Sequence, residues 1–220
     1  MCRIRVQPIG LVLSLIFFAC QCSTRLSAQI VNHSFETPAL DDGDAFDADH
    51  FFGWSAIGGG GNTGIYNPHD SDFISGSLHG ENLAYANPGV FGGGGIQQTT
   101  NTPLEPGTYE LIATVGRRVN HTVVGYSNEL WVGNTSLTPS FVDHPMPTEG
   151  ALVEATTRYD IGAGHPLLGQ PIQIRLFTSV GGNQTNWDNI RIVQVPEPAS
   201  FSAALPAAVL GPLALARRRN

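Results

Sequence analysis

Apolar and polar residues alternate with a period of two along several short stretches of the chain. This alternation is typical of strands that bury one face of a sheet. It is clearest in residues 109–115 and 172–176, where every second residue is apolar. The same pattern predicts strands over residues 30–36, 82–86, 128–132 and 187–194. No stretch of ordinary helix length shows the period of an amphipathic helix, so the pattern predicts an all-β fold.

Turn-forming residues separate these stretches. The chain contains 26 Gly and 15 Pro. Two glycine-rich stretches, residues 58–61 and 92–95, interrupt the alternation and are predicted to be flexible loops. With 41% hydrophobic and only 13% charged residues, the sequence is too apolar for wholesale disorder. There is no internal repeat, and we predict a single jelly-roll β-sandwich over residues 29–194.

The N-terminus has the features of a secretory signal. Arg3 and Arg5 precede an apolar stretch, which ends in small residues that suit cleavage. We therefore predict a signal peptide over residues 1–28 and a mature chain that begins at Gln29. The alternative is a lipoprotein cut before Cys20. Under the first interpretation all three cysteines leave with the signal, and the mature domain has no disulfide.

The C-terminus carries three features in a fixed order: Pro196-Glu197-Pro198, an apolar run over residues 199–216, and Arg217-Arg218-Arg219. This order resembles the PEP-CTERM sorting tail of exported bacterial proteins, and we predict such a tail over residues 195–220. The resemblance implies recognition by an exosortase, which removes the tail. The run is barely long enough to span a bilayer, so membrane contact is expected only before processing. The protein is then expected at the cell surface or in the extracellular matrix.

Negative charge dominates the predicted mature domain. All 11 basic residues of the chain are Arg, and only five of them lie between residues 29 and 195. Against them stand 17 Asp and Glu, which gives a net charge of −12. Such a surface argues against binding to a nucleic-acid backbone and is compatible with divalent cations.

Two carboxylates are candidates for a metal site. Asp188, Ile190 and Ile192 are every second residue of the last predicted strand. Asp188 is therefore expected on the same face of the sheet as the two isoleucines. A carboxylate beside an apolar face needs a cation, hydrogen-bond donors or a proton. Glu36 ends the first predicted strand, and the first and last strands of many jelly rolls run close together. Glu36 and Asp188 are therefore predicted as calcium ligands; the alternative is that Asp188 and Asn189 cap a turn.

Longer motifs recur in the order found in one known family. They are Ile30-Val31-Asn32-His33-Ser34-Phe35-Glu36, Gly80-Glu81-Asn82-Leu83-Ala84-Tyr85, residues 104–111, residues 164–176, and Gln184-Thr185-Asn186-Trp187-Asp188-Asn189-Ile190-Arg191. Over nearly the whole predicted domain the sequence resembles the Stig cyclases, which form hapalindole-type indole alkaloids. More loosely, it resembles jelly-roll carbohydrate-binding modules of the galactose-binding kind.

The resemblance to the Stig cyclases implies a calcium-stabilised jelly roll that catalyses an acid-assisted cyclisation in an aromatic pocket. It implies that Asp188 is the catalytic acid and that Tyr85 lines the pocket. The sequence departs from the family pattern at Trp187, where Phe is expected. A surface-sorting tail is also not something that an alkaloid cyclase needs, and one fold supports many functions.

Three functions therefore stay open. The first, which we favour, is a calcium-bearing domain that binds glycan or exopolysaccharide without catalysis. Trp54 and Trp131 are then candidate sugar platforms, and Tyr85 is a further ligand-contacting residue. The second is a Stig-type cyclase with Asp188 as general acid. The third is a purely structural component of a coat or matrix.

Overall fold

The structure, a computed structural model, describes residues 26–27, 29–43, 52–58, 62–88, 93–179 and 181–195. Within these ranges the chain consists of strands joined by turns: β1 (Leu26–Ser27), β2 (Ser55–Gly58), β3 (Thr63–Tyr66), β4 (Leu83–Ala86), β5 (Gly94–Pro103), β6 (Gly107–Arg117), β7 (Tyr126–Val132), β8 (Thr135–Ser136), β9 (Phe141–Asp143), β10 (Ala151–Ile161), β11 (Pro171–Thr178) and β12 (Thr185–Val195). The described part of the chain contains no helix long and apolar enough to cross a membrane.

The strands form two antiparallel sheets. In the seven-stranded sheet the order is β3-β4-β12-β6-β10-β9, and β1 pairs with β12. In the five-stranded sheet the order is β2-β5-β11-β7-β8. The prediction of an all-β jelly-roll sandwich is confirmed. Apart from residues 26 and 27, which form β1, the predicted signal peptide lies outside the described residues, and so does the tail beyond residue 195.

The core lies between the two sheets and follows the predicted alternation. Tyr109, Leu111, Ala113 and Val115 of β6 are fully buried, as are the apolar residues of β11 that face them across the sandwich. Polar groups also cross the core. The indole N–H of Trp187 donates to Asn128 Oδ1 at 3.1 Å, which joins β12 of one sheet to β7 of the other. The burial of apolar side chains between the sheets is the main favourable contribution to the stability of such a domain.

The prediction of a strand over residues 30–36 is wrong. Residues 31–34 form a turn, and Asn32 and Phe35 have φ of 50° and 60°. A strand needs negative φ, so left-handed backbone at these two positions ends any extended run. The main chain of Val31 pairs with the side chain of Gln98 instead of a neighbouring strand. The segment still meets the last strand, because Ile190 N–H donates to His33 O at 2.8 Å.

The second glycine-rich stretch is not a loop throughout. Gly94 and Gly95 begin β5, and Gly95 pairs with Phe177 of β11 and Ile57 of β2. A Cβ added to Gly95 would meet Leu176 O, so only glycine allows the strands to approach here. In the first stretch, Gly58 ends β2, and residues 59–61 lie outside the described residues.

A β-bulge in β12 moves Asp188 to the face opposite the one predicted. Asp188 pairs with Thr114, but the next pair is Arg191 with Ile112, so β12 contains one extra residue. Asn189 supplies the irregularity with φ of 50°. Ile190 and Ile192 consequently face the core, whereas Asp188 and Arg191 lie on the outer face of the seven-stranded sheet. Counting every second residue predicts the wrong face for Asp188, because this count assumes a strand without a bulge.

Candidate functional site

Asp188 is fully buried although it lies on an outer face. Its Oδ2 accepts the N–H of His79 at 2.6 Å, and its Oδ1 accepts the N–H of Asn189 at 2.6 Å. Burial is the largest influence on the pKa; the two amide donors lower it, the charge of Glu36 raises it, and the balance lifts the pKa of Asp188 to about 7. Asp188 therefore changes its charge near neutral pH.

Glu36 holds the other side of the same loop. Its carboxylate accepts the N–H of Glu81 at 3.1 Å and that of Asn82 at 2.9 Å. Gly80 has a φ of +105°, and a Cβ added there would overlap the Glu36 carboxyl group. The structure thus brings Glu36 and Asp188 together on one loop, as predicted, but through main-chain amides of residues 79–82.

A calcium ion at this loop fits the donors in part. The two carboxylates are hard oxygen ligands. Asn82 supplies a third oxygen: its Nδ2 donates to Phe35 O and Pro38 O, while its Oδ1 is buried and has no partner in the described part of the chain. Buried polar atoms are rarely left unpaired, so this oxygen favours an additional ligand. The described residues contain no group of three or more His, Cys, Asp or Glu that is placed to hold a metal.

Tyr85 lies on the same outer face as Asp188. It pairs with Asn186 across β4 and β12 and is 8% exposed. Tyr66, Leu83 and Tyr85 form a small apolar cluster, against which Phe73 and Leu78 pack. We call this surface, formed by Tyr66, Leu83, Tyr85, Asn186 and Asp188 beneath residues 67–82, the covered face. It includes two of the predicted site residues, Tyr85 and Asp188.

Trp54 is part of the core. It is 6% exposed, and its ring lies 5.3 Å from that of Phe35. Its indole N–H donates to Val31 O and Asn32 O at 3.1 and 3.2 Å. The structure therefore uses Trp54 to hold the N-terminal segment and separates it from both Tyr85 and Trp131.

Trp131 lies on the outer face of the five-stranded sheet. The guanidinium of Arg175 stacks over its ring, 3.7 Å from the centroid. Both side chains line a cavity of about 330 Å³, and we call its lining the platform: Ile57, Gly58, Glu129, Trp131, Arg175 and Phe177. All of these residues lie on strands, so the sheet fixes their spacing. Their side chains are half-buried, and Gly58 is exposed.

Hydrogen bonds fix the polar residues of the platform in place. Glu129 accepts the hydroxyl of Ser127 and the indole N–H of Trp131, both at 2.7 Å. Arg175 Nε donates to Gln173 Oε1 at 2.7 Å, and Gln173 Nε2 donates to Thr99 Oγ1 at 3.1 Å. These bonds order the side chains before any ligand arrives, which lowers the entropy cost of binding.

Sequence reasoning found Trp131 but not its partners. Glu129, Arg175 and Phe177 alternate with core residues on β7 and β11, so their outward direction follows from the alternation. What the alternation does not give is which strands become neighbours, because β7 and β11 are about 45 residues apart and pair only in the folded sheet. The Trp131–Arg175 stack is a property of that pairing.

Comparison with known families gives one clear match. The model of a family named HpiC1-like and described as HpiC1 cyclase matches residues 27–193. No protein with a curated function matches the sequence.

Solved structures agree with the family match. An apo cyclase from Fischerella sp. has a TM-score of 0.68 and 25% identity, covering 78% of this chain and 97% of that chain. The Stig cyclase Fisc from Fischerella sp. TAU, solved with a 3H-indole compound, has a TM-score of 0.67 and 24% identity, covering 79% and 99%. A xylan-binding CBM22-1 domain from Paenibacillus barcinonensis is more distant, with a TM-score of 0.46 and 15% identity, covering 80% and 97%.

Proposed function

The chain belongs to the HpiC1-like family, and we propose that it is a non-catalytic member that binds glycan or matrix polymer on its five-stranded sheet. The observation that carries this proposal is the stacked Trp131–Arg175 pair within the platform. Aromatic rings beside hydrogen-bonding side chains suit a sugar, which has apolar faces and polar edges. The face is open and ordered, whereas Asp188 on the other sheet is fully buried.

A polysaccharide binding assay tests this proposal. The predicted mature domain, residues 29–195, is titrated by affinity electrophoresis against a panel of neutral and acidic polysaccharides. We expect retardation by at least one polymer and an affinity loss of about tenfold or more for Trp131→Ala, because one stacking residue often carries about 1–3 kcal/mol of binding. Phe141→Ala is the matched control, since Phe141 is an exposed aromatic on the opposite sheet. Equal loss in both variants contradicts the proposal.

We propose further that calcium stabilises the domain at the loop of residues 79–82. Glu36, Asp188 and Asn82 Oδ1 would hold the ion, together with main-chain carbonyls. The buried, unpartnered oxygen of Asn82 supports this assignment. An ion at this position would lower the pKa of Asp188, because a neighbouring cation stabilises the charged form of a buried carboxylate.

Export and sorting complete the proposal. The signal peptide over residues 1–28 would direct export, and the tail over residues 195–220 would be recognised and removed by an exosortase, which leaves the domain at the cell surface or in the matrix. Intact-mass analysis of the protein exported by its native host tests this step. We expect loss of residues 199–220; recovery of the complete C-terminus contradicts it.

The second candidate function is a Stig-type cyclase. Asp188 favours it, because a carboxyl group with a pKa of about 7 holds a proton at neutral pH and can donate it. Against it stands the burial of Asp188 beneath residues 67–82. Turnover of a cyclisable indole-isonitrile terpenoid by the unmutated domain, lost in Asp188→Asn, establishes this function instead. Absence of turnover at high enzyme concentration favours the binding function.

A further inference from the structure

Arg175 differs from the other arginines of the domain in having no acidic partner among the residues that the structure describes. Arg117, Arg118, Arg158 and Arg191 each form an ion pair with a carboxylate: Glu149, Asp72, Glu110 and Glu154, respectively. Among the described residues, which include all five arginines of the domain, none places a carboxylate within 4.0 Å of Arg175. In a domain with a net charge of −12, an unpaired arginine is the exception.

The carboxylate directly opposite Arg175 in the sheet, that of Glu129, is held by other groups. Glu129 pairs directly with Arg175 across β7 and β11. Both of its oxygens, however, accept hydrogen bonds from its own strand, Oε1 from Ser127 and Oε2 from Trp131. The guanidinium instead lies flat on the Trp131 ring, and its Nε donates to Gln173. Among the described residues, no hydrogen bond or ion pair engages the terminal amino groups of Arg175, so their donors are open to a ligand.

The geometry points to an acidic sugar as the ligand of this face; the inference rests on the proposed glycan-binding function and narrows its substrate class. We propose that the platform binds a polysaccharide that contains uronic acid, with the carboxylate on the terminal amino groups of Arg175. A guanidinium matches a carboxylate in shape and can donate two parallel hydrogen bonds to it. The rings of Trp131 and Phe177 and the side chain of Ile57 supply apolar surface beside this cation.

The negative charge of the whole domain makes the inference specific. A surface with a net charge of −12 repels polyanions at long range, so it does not attract them unselectively. Binding of an acidic polymer must then come from a local cation that is free of carboxylate partners. Moderate salt is expected to screen the long-range repulsion more than the short contact at Arg175.

The test uses two pairs of ligands, each pair an acidic sugar and the same sugar with its carboxylates neutralised as methyl esters. Oligogalacturonate and its fully methyl-esterified form, and a glucuronate oligomer with its ester, are titrated into the domain by calorimetry in the presence of a chelator, because uronates bind calcium themselves. We expect at least one acid form to bind ten times more tightly than its ester. Arg175→Gln is expected to reduce the affinity for the acid to that for the ester. Arg175→Lys, which keeps the charge but not the planar donor pair, is expected to retain part of the preference.

The outcomes separate this inference from the proposed function. Equal binding of acid and ester by the unmutated domain, lost in Trp131→Ala, overturns the acidic-sugar inference and leaves glycan binding standing. A preference for the acid that survives in Arg175→Gln overturns the assignment of Arg175. Failure of every acid and ester to bind overturns the inference, and if neutral polymers also fail in the electrophoresis panel, the proposed function falls with it. Phe141→Ala is the control and is expected to bind like the unmutated domain.

Discussion

The outer faces of the two sheets have opposite designs. On the covered face, an ionisable group is buried: Asp188 lies under residues 67–82 and accepts two main-chain N–H bonds. On the platform, Arg175 and Trp131 stay partly exposed, and side-chain hydrogen bonds hold the polar groups. Burial makes the energy of Asp188 depend strongly on its protonation and surroundings, so substitutions there should act on stability. Substitutions on the platform should act on binding.

The largest expected effect is on the pH dependence of stability. The ordinary pKa of an Asp is near 4, and that of Asp188 in the folded state is about 7. The contribution of Asp188 to the free energy of unfolding is fully present below about pH 4 and is lost as the pH rises to about 7. Above that pH the contribution no longer changes. The loss is about 4 kcal/mol, from three pKa units. Urea unfolding in a chelator, at pH 4.5 and 7.5, should show about 3 kcal/mol of this loss in the unmutated domain and none of it in Asp188→Asn.

Asp70→Asn is the matched control for this prediction, because Asp70 is an exposed acid close to the same loop. It should keep the full difference between the two pH values. If Asp188→Asn keeps it as well, another group causes the pH dependence, and the comparison of the two faces loses its main support.

Calcium should act on the covered face alone. An ion that binds only the folded state stabilises it by about 2.7 kcal/mol at a hundredfold excess over its Kd. Because the ion needs ionised carboxylates, the stabilisation should be larger at pH 8 than at pH 5. Thermal unfolding with calcium and with chelator measures it. Glu36→Gln should remove most of the increase in Tm, whereas Glu129→Gln on the platform should leave it intact.

If the unmutated domain has the same Tm in calcium and in chelator, the proposed metal site is contradicted. Asp188 would then rely on the N–H donors of His79 and Asn189 alone.

Crowding on the covered face should be measurable with two glycines. Gly80 and Gly169 both have positive φ, +105° and +81°. A Cβ on Gly80 overlaps the Glu36 carboxyl, whereas a Cβ on Gly169 meets no atom within 4 Å. Gly169→Ala should cost about 1 kcal/mol from backbone strain, and Gly80→Ala about 1–2 kcal/mol more from displacement of Glu36. Equal costs by chemical denaturation would mean that Glu36 moves aside freely.

The smallest effect on stability is expected on the platform. Arg175→Gln removes a half-buried side chain that forms no ion pair with any described residue, so the free energy of unfolding should change by less than about 1 kcal/mol. The same variant should lose its preference for the acidic sugar. A destabilisation of several kcal/mol would show that Arg175 is a structural residue, and the contrast between the faces would fail.

The covered face was the harder of the two to predict from sequence. Alternation predicted β6, β7 and β11 closely, because their pleating is regular and one side is apolar. It failed at residues 30–36 and at Asn189, where a non-glycine residue adopts positive φ. Such conformations depend on long-range contacts, here the bond from Ile190 to His33 O and those between Val31 and Gln98. Glu36 and Asp188 both bond to residues 79–82, although Glu36 ends no strand and Asp188 leaves the face of the isoleucines.

The position of β12 also has a consequence for how the chain folds. This strand is the last of the described residues, yet it lies between β4 and β6 in the middle of its sheet and pairs Ala84 with Trp187. A chain that ends before β12 lacks the strand that joins the two halves of the seven-stranded sheet. Contacts between such distant residues make folding slow, on the order of milliseconds to seconds. A nascent chain should therefore stay unfolded until residue 195 has been made.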